Sequence, residues 1–344
     1  MQINKNLKIE GKKILIVGNR SYKNLGDELI LLGTIKLLMK EKKDIYVSAF
    51  DVNWLKGFLS KFIDISKVTF LTEIPKGIKS GLNYFKKGKL KEWKKYREID
   101  SIIIGGGEII TEENPNSYRY RLVSILPYYF TGAKIYLMGG IQVPKKEINK
   151  ILFDFLLRKV EKIYARDNEC VKELKNYGFK NCEFFMDTAL FAYEWSLKHG
   201  NVKTLKRYIV VNLNKNAEKF LNEIIEDVKE YVKKGYDIYF VPVSKGINNE
   251  YNDIKYFEKI KKVIARESKQ SSKIPAAKLG AGMTILDWEE DFEKFLEILK
   301  GAEIVFTGRL HLFMIAKFLG VKVKVYPYQK KILKMQKVLK DFNS

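Results

Sequence analysis

Short apolar runs alternate with amphipathic segments along most of the chain. Segments with apolar residues at helical spacing, such as GDELILLGTIKLLMK and KEINKILFDFLLRKVEKI, separate the runs. Near-continuous apolar strands that alternate with helices predict a parallel sheet covered on both faces. The runs that predict buried strands in the first half are KKILIVG, IYVSAF, SIIIGGG, KIYLMGG, KIYARD and EFFMD.

A second set of the same kind begins near Arg207. Its predicted strands are YIVVNLN, YDIYFVPV, AEIVFTG and VKVKVYP, and helical segments such as DWEEDFEKFLEILKG separate most of them. Two such sets predict an α/β protein with two doubly wound, Rossmann-like domains. We place the boundary in the polar stretch 195–207, so that residues 1–200 form the first domain and residues 201–344 the second.

Composition and cysteine content indicate a globular protein of a reducing compartment. Of 344 residues, 46% are hydrophobic and 31% are charged, which argues against a disordered chain. We expect no signal peptide and no transmembrane helix, because the N-terminus lacks an apolar core segment and no run of 18 apolar residues occurs. Cys170 and Cys182 have no metal-ligand spacing, which excludes a zinc ribbon or a disulfide scaffold. We therefore expect a cytoplasmic protein.

The charge is strongly positive. Sixty-four basic residues against 41 acidic residues give a net charge of +23, which favours phosphates, anionic lipids and nucleic acids alike. The basic segments Lys76–Arg97 and Lys322–Lys340 have two interpretations: a solvated, lysine-rich surface, or peripheral contact with an anionic membrane at the inner face of the cell membrane. No nucleic-acid-binding motif is present, so we expect no specific nucleic-acid partner.

The loop after the first strand contains a glycine-rich polar run. It includes Gly18, Asn19, Arg20, Asn24, Gly26, Asp27 and Glu28. Glycine permits close backbone approach, and the helix that follows offers free N–H groups to an anion. The spacing matches neither the dinucleotide-binding fingerprint nor a phosphate-binding P-loop. Two interpretations stand: a tight turn in which Asp27 caps the helix, or a binding site.

Two further strand ends carry candidate binding residues. The strand SIIIGGG is predicted to end at Gly105, Gly106 and Gly107, either in a tight turn or in close approach to a ligand. Arg166 lies where a strand gives way to a helix, with Asp167 or Asn168 as its N-cap and Gly178 as its C-terminal stop. Arg166 is predicted either to pair with Asp167 or to bind an anionic ligand.

The sharpest candidate site is the junction AEIVFTGRLHLFMIAKFLG. Arg309 and His311 lie where a predicted strand runs into a strongly apolar helix, and no other polar residue follows before Lys317. An arginine and a histidine at the mouth of a buried junction are costly unless they are used. We therefore interpret Arg309 and His311 as functional residues.

The order of these segments resembles the polysaccharide pyruvyl transferase family, over about residues 12–332. Two family motifs differ here: Asp187-Thr188-Ala189 stands for Asp-Pro-Ala, and Glu108 follows the triple glycine where a small or apolar residue is commoner. The motifs that match, in family order, are Asn24-Leu25-Gly26-Asp27-Glu28, Gly105-Gly106-Gly107, Gly139-Gly140-Ile141-Gln142-Val143-Pro144, Arg166-Asp167 and Arg309-Leu310-His311, followed by a lysine, Lys330 or Lys331.

The resemblance implies a GT-B-like fold with the site in an interdomain cleft. It implies phosphoenolpyruvate as donor and, as acceptor, a sugar of a surface polysaccharide or its lipid-linked precursor, which becomes a pyruvate ketal. No metal and no organic cofactor are expected. The second domain would carry the donor site, and the first the acceptor side with Arg166 facing the cleft. The substrate-binding residues implied are Arg166, Arg309, Leu310, Gly105, Gly106, Gly107, Asn24 and Lys330.

The residue chemistry suits that donor. Phosphoenolpyruvate carries a phosphate and a carboxylate, so the guanidinium forks of Arg166 and Arg309 can each bind one anionic group. His311 can protonate or stabilise the leaving group near neutral pH. Asp27 and Glu108 are candidates for the base that accepts the sugar hydroxyl proton. Two alternatives remain open: a GT-B glycosyltransferase with a nucleotide-sugar donor, because a fold does not define its donor, and a non-enzymatic, basic nucleic-acid-binding protein.

Overall fold

A computed structural model describes eight stretches of the chain. They are residues 7–18, 20–74, 90–111, 115–193, 207–246, 252–270, 283–327 and 332–336. The chain divides into two compact units. The N-terminal unit comprises residues 2–22 and 27–192, and the C-terminal unit comprises residues 193–344 together with the short segment 23–26.

Within the described ranges, a seven-stranded parallel sheet forms the centre of the N-terminal unit. Its strands are β1 (Lys13–Val17), β2 (Asp44–Ala49), β3 (Val68–Thr72), β4 (Ser101–Ile110), β5 (Lys134–Ile141), β6 (Val160–Ala165) and β7 (Cys182–Phe184). The strand order is β3-β2-β1-β4-β5-β6-β7, with Ile14 opposite both Ile45 and Ser101. The chain changes direction across the sheet between β1 and β4, the kind of position at which doubly wound folds bind ligands.

Helices cover both faces of this sheet. They are α1 (Leu25–Lys40), α2 (Val52–Leu59), α3 (Leu90–Arg97), α4 (Pro115–Val123), α5 (Leu126–Tyr129), α6 (Glu147–Leu157), α7 (Asn168–Asn176) and α8 (Ala189–Tyr193). Right-handed crossovers place α1 and α2 on one face and α4 to α7 on the other. Ile104 and Leu137 of the sheet share a buried cluster with Phe153 of α6. Each such burial contributes about 1.5–3 kcal/mol.

The predicted end of β4 at the triple glycine is wrong. β4 continues through Gly105–Gly107 to Ile110, with irregular register against β5 around Glu108. The backbone of this segment pairs with β5, so the glycines lie inside an irregular strand, as glycines at bulges do. The helix predicted over KEINKILFDFLLRKVEKI is also too long, because its last residues, from Val160 onward, belong to β6.

In the part of the chain that the structure describes, the C-terminal unit holds a five-stranded parallel sheet. Its order is β10-β9-β8-β11-β12. The strands are β8 (Tyr208–Val211), β9 (Asp237–Phe240), β10 (Met283–Ile285), β11 (Val305–Thr307) and β12 (Val323–Val325), and the α-helices are α9 (Leu221–Lys233), α10 (Ile254–Gln270), α11 (Phe292–Lys300) and α12 (Leu310–Phe318). The sequence did not predict α10 and β10. Lysines and glutamates stand between the apolar positions of α10, among which Tyr256 and Ile260 are buried.

Helix α12 is apolar on nearly all sides. Its residues Leu312–Ala316 are all buried, as a helix without a polar face requires. No helix among the described residues is long and apolar enough to cross a bilayer.

Candidate functional site

Arg309 and Asp253 form an ion pair in the C-terminal unit, near the carboxyl ends of its strands. Arg309 is the N-cap residue of α12, and its Nη2 lies 2.5 Å from Oδ1 of Asp253 while its Nε donates to Oδ2 at 3.2 Å. The Asp253 side chain is 1% exposed and that of Arg309 is 18% exposed. Two parallel N–H···O contacts hold the guanidinium in one orientation, with one edge against the carboxylate.

Neighbouring strand ends hold Asp253 in place. Oδ2 of Asp253 accepts hydrogen bonds from Nδ2 of Asn212 and from the backbone N–H of Ser244, each at 3.2 Å. Asn212 in turn donates to the carbonyl of Val241 at 2.8 Å and accepts from the hydroxyl of Thr307 at 3.3 Å. These residues follow or end β8, β9 and β11. A buried polar network of this kind fixes its members before any ligand arrives.

Sequence reasoning missed Asp253. It lies in the polar stretch between β9 and β10, just before α10, where an aspartate predicts an N-cap. The structure gives the capping role to Asn252, whose Oδ1 accepts from the N–H of Ile254 at 2.9 Å. The sequence therefore gave only a weak sign of a role for Asp253, namely that it stands next to Asn252, which is a residue of the same capping type.

The segment 23–26 belongs to the C-terminal unit and lies beside His311. The N–H of Leu25 donates to the carbonyl of Val243 at 2.9 Å. A Cβ atom added to Gly26 would lie 2.0 Å from Nδ1 of His311, so the partly buried imidazole occupies the space that a side chain there would need. The structure thus brings Asn24 and Gly26 of the first motif together with His311 of the last.

Asn24, and not Asp27, caps helix α1. Oδ1 of Asn24 accepts from the N–H of Gly26 at 3.0 Å, whereas Asp27 already lies in the first turn of the helix. The predicted capping role of Asp27 is therefore wrong, because the helix begins three residues earlier than that role requires.

Arg166 is buried in the N-terminal unit and pairs with Glu108. Its Nη1 donates to the carbonyl of Gly107 at 2.8 Å, and its Nη2 lies 3.2 Å from Oε1 of Glu108. The Arg166 side chain is 6% exposed. The predicted pairing with Asp167 is wrong, because Asp167 caps α7 by accepting from the N–H of Cys170 at 2.8 Å. That capping role was itself predicted.

Arg20 is a second buried arginine, to which the sequence analysis gave no role of its own. It is 1% exposed, and its guanidinium donates to the carbonyls of Asp27 at 2.9 Å and of Gly105 at 3.0 Å. The pKa of Arg20 is lowered from its ordinary value. Burial is the main cause, and the nearby carboxylates of Asp27, Glu28 and Glu73 oppose it only in part. The scarcity of arginine in this chain, nine residues in all, was the available signal.

The triple glycine has a structural role that its own contacts define. A Cβ atom on Gly139 would lie 2.4 Å from the carbonyl oxygen of Gly106, and Gly139 has a φ of +146°. Only glycine allows β4 and β5 to approach this closely in that backbone conformation. The carbonyls of Gly105 and Gly107 accept from Arg20 and Arg166. The glycine run therefore orients two buried arginines.

The remaining predicted residues have simpler surroundings. Leu310 is 5% exposed and packs as a core residue of α12. Thr188, which replaces the family's proline, donates to the carbonyl of Ile30 at 2.9 Å and lies 3.0 Å from the hydroxyl of Thr34. Lys330 and Lys331 lie outside the described residues.

Comparisons with known proteins identify one family and one fold. The family model for polysaccharide pyruvyl transferase matches residues 24–329, which is nearly the whole chain. No curated protein sequence matches.

Several solved structures share the fold at low sequence identity. UDP-GlcNAc 2-epimerase from Neisseria meningitidis, bound to UDP-GlcNAc, aligns with a TM-score of 0.54 and 12% identity, over 92% of this chain and 82% of its own. UDP-N-acetylglucosamine 2-epimerase from Rickettsia bellii aligns with a TM-score of 0.51 and 14% identity, over 91% of this chain and 78% of its own. Anabaena Alr3699/HepE, in complex with UDP and glucose, aligns with a TM-score of 0.54 and 13% identity, over 92% of this chain and 80% of its own. These neighbours are of the GT-B type, so the predicted fold class is confirmed.

Proposed function

The chain belongs to the polysaccharide pyruvyl transferase family, and from this premise we propose that it transfers pyruvate from phosphoenolpyruvate to a sugar. The acceptor is a sugar of a surface polysaccharide or of its lipid-linked precursor, and the product is a pyruvate ketal. The observation that carries the proposal is the Arg309–Asp253 pair at the start of α12, beside His311. The expectation of a transferase acting in polysaccharide synthesis is confirmed at the level of the family.

An anionic donor suits the start of α12. The free N–H groups of a helix N-terminus favour an anion, and Arg309 adds a full positive charge at that position. Asp253 binds the Nε–Nη2 edge of the guanidinium and so holds Arg309 in a fixed orientation at the start of α12. We assign Arg309 to an anionic group of phosphoenolpyruvate.

The reaction requires proton transfer at both ends of the donor. The methylene carbon of phosphoenolpyruvate gains a proton and becomes a methyl group, and two sugar hydroxyl oxygens bond to the central carbon. The bond from that carbon to the phosphate oxygen breaks, and inorganic phosphate leaves. The two hydroxyl protons balance the reaction: one matches the proton gained by carbon, and the other leaves with phosphate.

We assign proton transfer to the donor to His311. An imidazole changes its charge near neutral pH and can donate a proton to carbon or stabilise the departing phosphate. We assign the acceptance of the hydroxyl proton to Asp27 or Glu108, and substrate binding to Arg166, as the family resemblance implies. Separate Asp27→Asn and Glu108→Gln variants would show which carboxylate turnover requires.

Ligand-induced stabilisation tests the donor. Phosphoenolpyruvate at about 100 times its Kd is expected to stabilise the fold by about 2.7 kcal/mol, measured as a thermal shift after treatment with a chelator. UDP-GlcNAc serves as the comparison ligand at the same concentration. A shift with UDP-GlcNAc and none with millimolar phosphoenolpyruvate would replace the pyruvyl proposal with a nucleotide-sugar glycosyltransferase.

Gly26→Ala is expected to lower kcat by about 10²-fold, because the new methyl group must displace the His311 imidazole. The melting temperature should change little, because the imidazole ring that must move stands at the end of a side chain that can rotate. Gly57→Ala is the matched control, because a Cβ there meets nothing within 4 Å and the residue also lies in a helix, α2. Equal kcat values for the two variants would contradict the catalytic role that we assign to His311.

A further inference from the structure

Exposed apolar side chains concentrate on one part of the N-terminal unit. Among the described residues, nine large apolar side chains are exposed, and six of them lie between residues 120 and 155. The six, which we call the α4–α6 surface, are Tyr120, Val123, Phe130, Ile148, Ile151 and Phe155. Contiguous exposed apolar surface on a protein that folds in water marks a site of interaction.

Helix α6 presents three of these side chains as one stripe. Ile148, Ile151 and Phe155 have the spacing of a single helix face and are 59%, 71% and 62% exposed. The opposite face of α6, with Phe153 and Leu156, is buried in the core of the unit. A helix that is apolar on both faces is typical of one that is covered on both sides.

Two hydrogen bonds hold α4 and α5 beside α6. Nε of Arg119 in α4 donates to Oδ1 of Asn149 in α6 at 3.1 Å. The hydroxyl of Tyr129, the last residue of α5, donates to the carbonyl of Leu156 near the end of α6. Helices α4 and α5 are therefore neighbours of α6, and the other exposed apolar residues of the surface lie on α4 or directly after α5.

Basic residues stand at both ends of the stripe. Lys145 and Lys146 precede α6, and Arg158 and Lys159 follow it, and all four are exposed. Residues 145–159 contain five basic and two acidic side chains. One of the acids, Glu147, lies 2.5 Å from the ammonium group of Lys150 in the same helix. An apolar stripe between basic ends is the pattern of helices that lie in the interface of an anionic membrane.

We propose that the α4–α6 surface docks on an anionic lipid bilayer. The stripe on α6 enters the boundary between headgroups and acyl chains, and the basic ends of the helix contact lipid phosphates. This proposal does not depend on the donor of the transfer reaction. It also differs from the contact predicted from sequence, whose segments Lys76–Arg97 and Lys322–Lys340 lie partly outside the described residues.

Charge favours lipid over a second copy of the chain. If two α6 stripes packed face to face, antiparallel helices would bring Lys145 and Lys146 of one copy to Arg158 and Lys159 of the other. Parallel helices would bring like ends together. Both orientations oppose basic groups across an apolar contact, which costs free energy, whereas anionic headgroups neutralise both ends.

Sedimentation with vesicles tests the proposal on the full-length chain. The wild type is expected to sediment with vesicles of equal parts phosphatidylglycerol and phosphatidylcholine, in about 0.15 M salt, and to stay in solution with phosphatidylcholine alone. Ile151→Ser/Phe155→Ser should lower the partition coefficient by about tenfold or more. Lys145→Glu/Lys146→Glu should also lower it, by on the order of tenfold.

Matched controls separate this surface from general effects. Phe50→Ser removes an aromatic side chain that is 55% exposed elsewhere in the same unit, and Lys233→Glu/Lys262→Glu reverses two exposed charges in the C-terminal unit. Phe50→Ser should partition like the wild type, and Lys233→Glu/Lys262→Glu should lose less binding than the Lys145 and Lys146 variant. Melting temperatures confirm that each variant is folded.

Three results would overturn the proposal. The first is equal sedimentation of the wild type with neutral and anionic vesicles. The second is wild-type partitioning of Ile151→Ser/Phe155→Ser, which would leave charge alone as the cause of binding. The third is a dimer in lipid-free analytical ultracentrifugation that this variant dissociates, which would assign the surface to a second copy.

Discussion

His311→Ala is expected to lower kcat by about 10²–10⁴-fold while the protein stays folded. The imidazole is partly buried and lies on the first turn of α12, and the apolar residues Leu312–Ala316 of that helix are all buried. The loss should fall on kcat more than on the affinity for phosphoenolpyruvate, because a proton donor acts in the transition state. Lys317→Ala, on the same helix, is the matched control and should keep the wild-type kcat.

The competing role for His311 is structural. In that case the alanine variant would melt at a lower temperature, and turnover per folded molecule would remain normal. Measuring kcat and the melting temperature on the same preparation distinguishes the two roles. A destabilised variant with normal specific activity would contradict the catalytic assignment.

Arg309→Ala is expected to weaken the binding of phosphoenolpyruvate and also to destabilise the fold. The variant leaves the Asp253 carboxylate buried without its partner, which costs about 3–5 kcal/mol for buried pairs. Separately, the loss of a charge-assisted contact with the ligand lowers the affinity for phosphoenolpyruvate by about 10–100-fold. Calorimetric titration and urea unfolding measure the two effects separately.

A double variant separates the structural role of Arg309 from its binding role. Arg309→Ala/Asp253→Asn removes both charges, so most of the lost stability should return while phosphoenolpyruvate binding stays as weak as in Arg309→Ala. Binding that returns together with stability would show that Arg309 only neutralises Asp253. Because Asn212 and Ser244 still contact residue 253, the polar network around it is retained in part.

The fold was largely predictable, because parallel strands buried on both faces must be apolar along their whole length. The errors lie where another physical requirement prevails. β4 continues through Gly105–Gly107 because a neighbouring strand supplies its backbone partners, which glycine propensity does not reveal. Helix α10 was missed because lysines are spaced among its apolar positions, which obscures the helical pattern.

The candidate site was predictable in its motifs but not in its contacts. Arg309, His311 and Arg166 lie at strand ends, which apolar patterning locates. Their partners are distant in sequence: Asp253 lies 56 residues from Arg309, and Glu108 lies 58 residues from Arg166. Such pairings depend on tertiary structure. Nothing local to either carboxylate distinguishes it from an ordinary cap or a surface charge.

Incubation of the protein with phosphoenolpyruvate and sugar acceptors, lipid-linked and free, tests the central claim most directly. Phosphate release and the mass of the acceptor are followed together, with His311→Ala in parallel. We predict that phosphate is released and that the acceptor gains the mass of phosphoenolpyruvate less that of phosphoric acid, with both changes strongly reduced in the variant. Transfer of a sugar from UDP-GlcNAc to the same acceptors, with phosphoenolpyruvate left unconsumed, would contradict it.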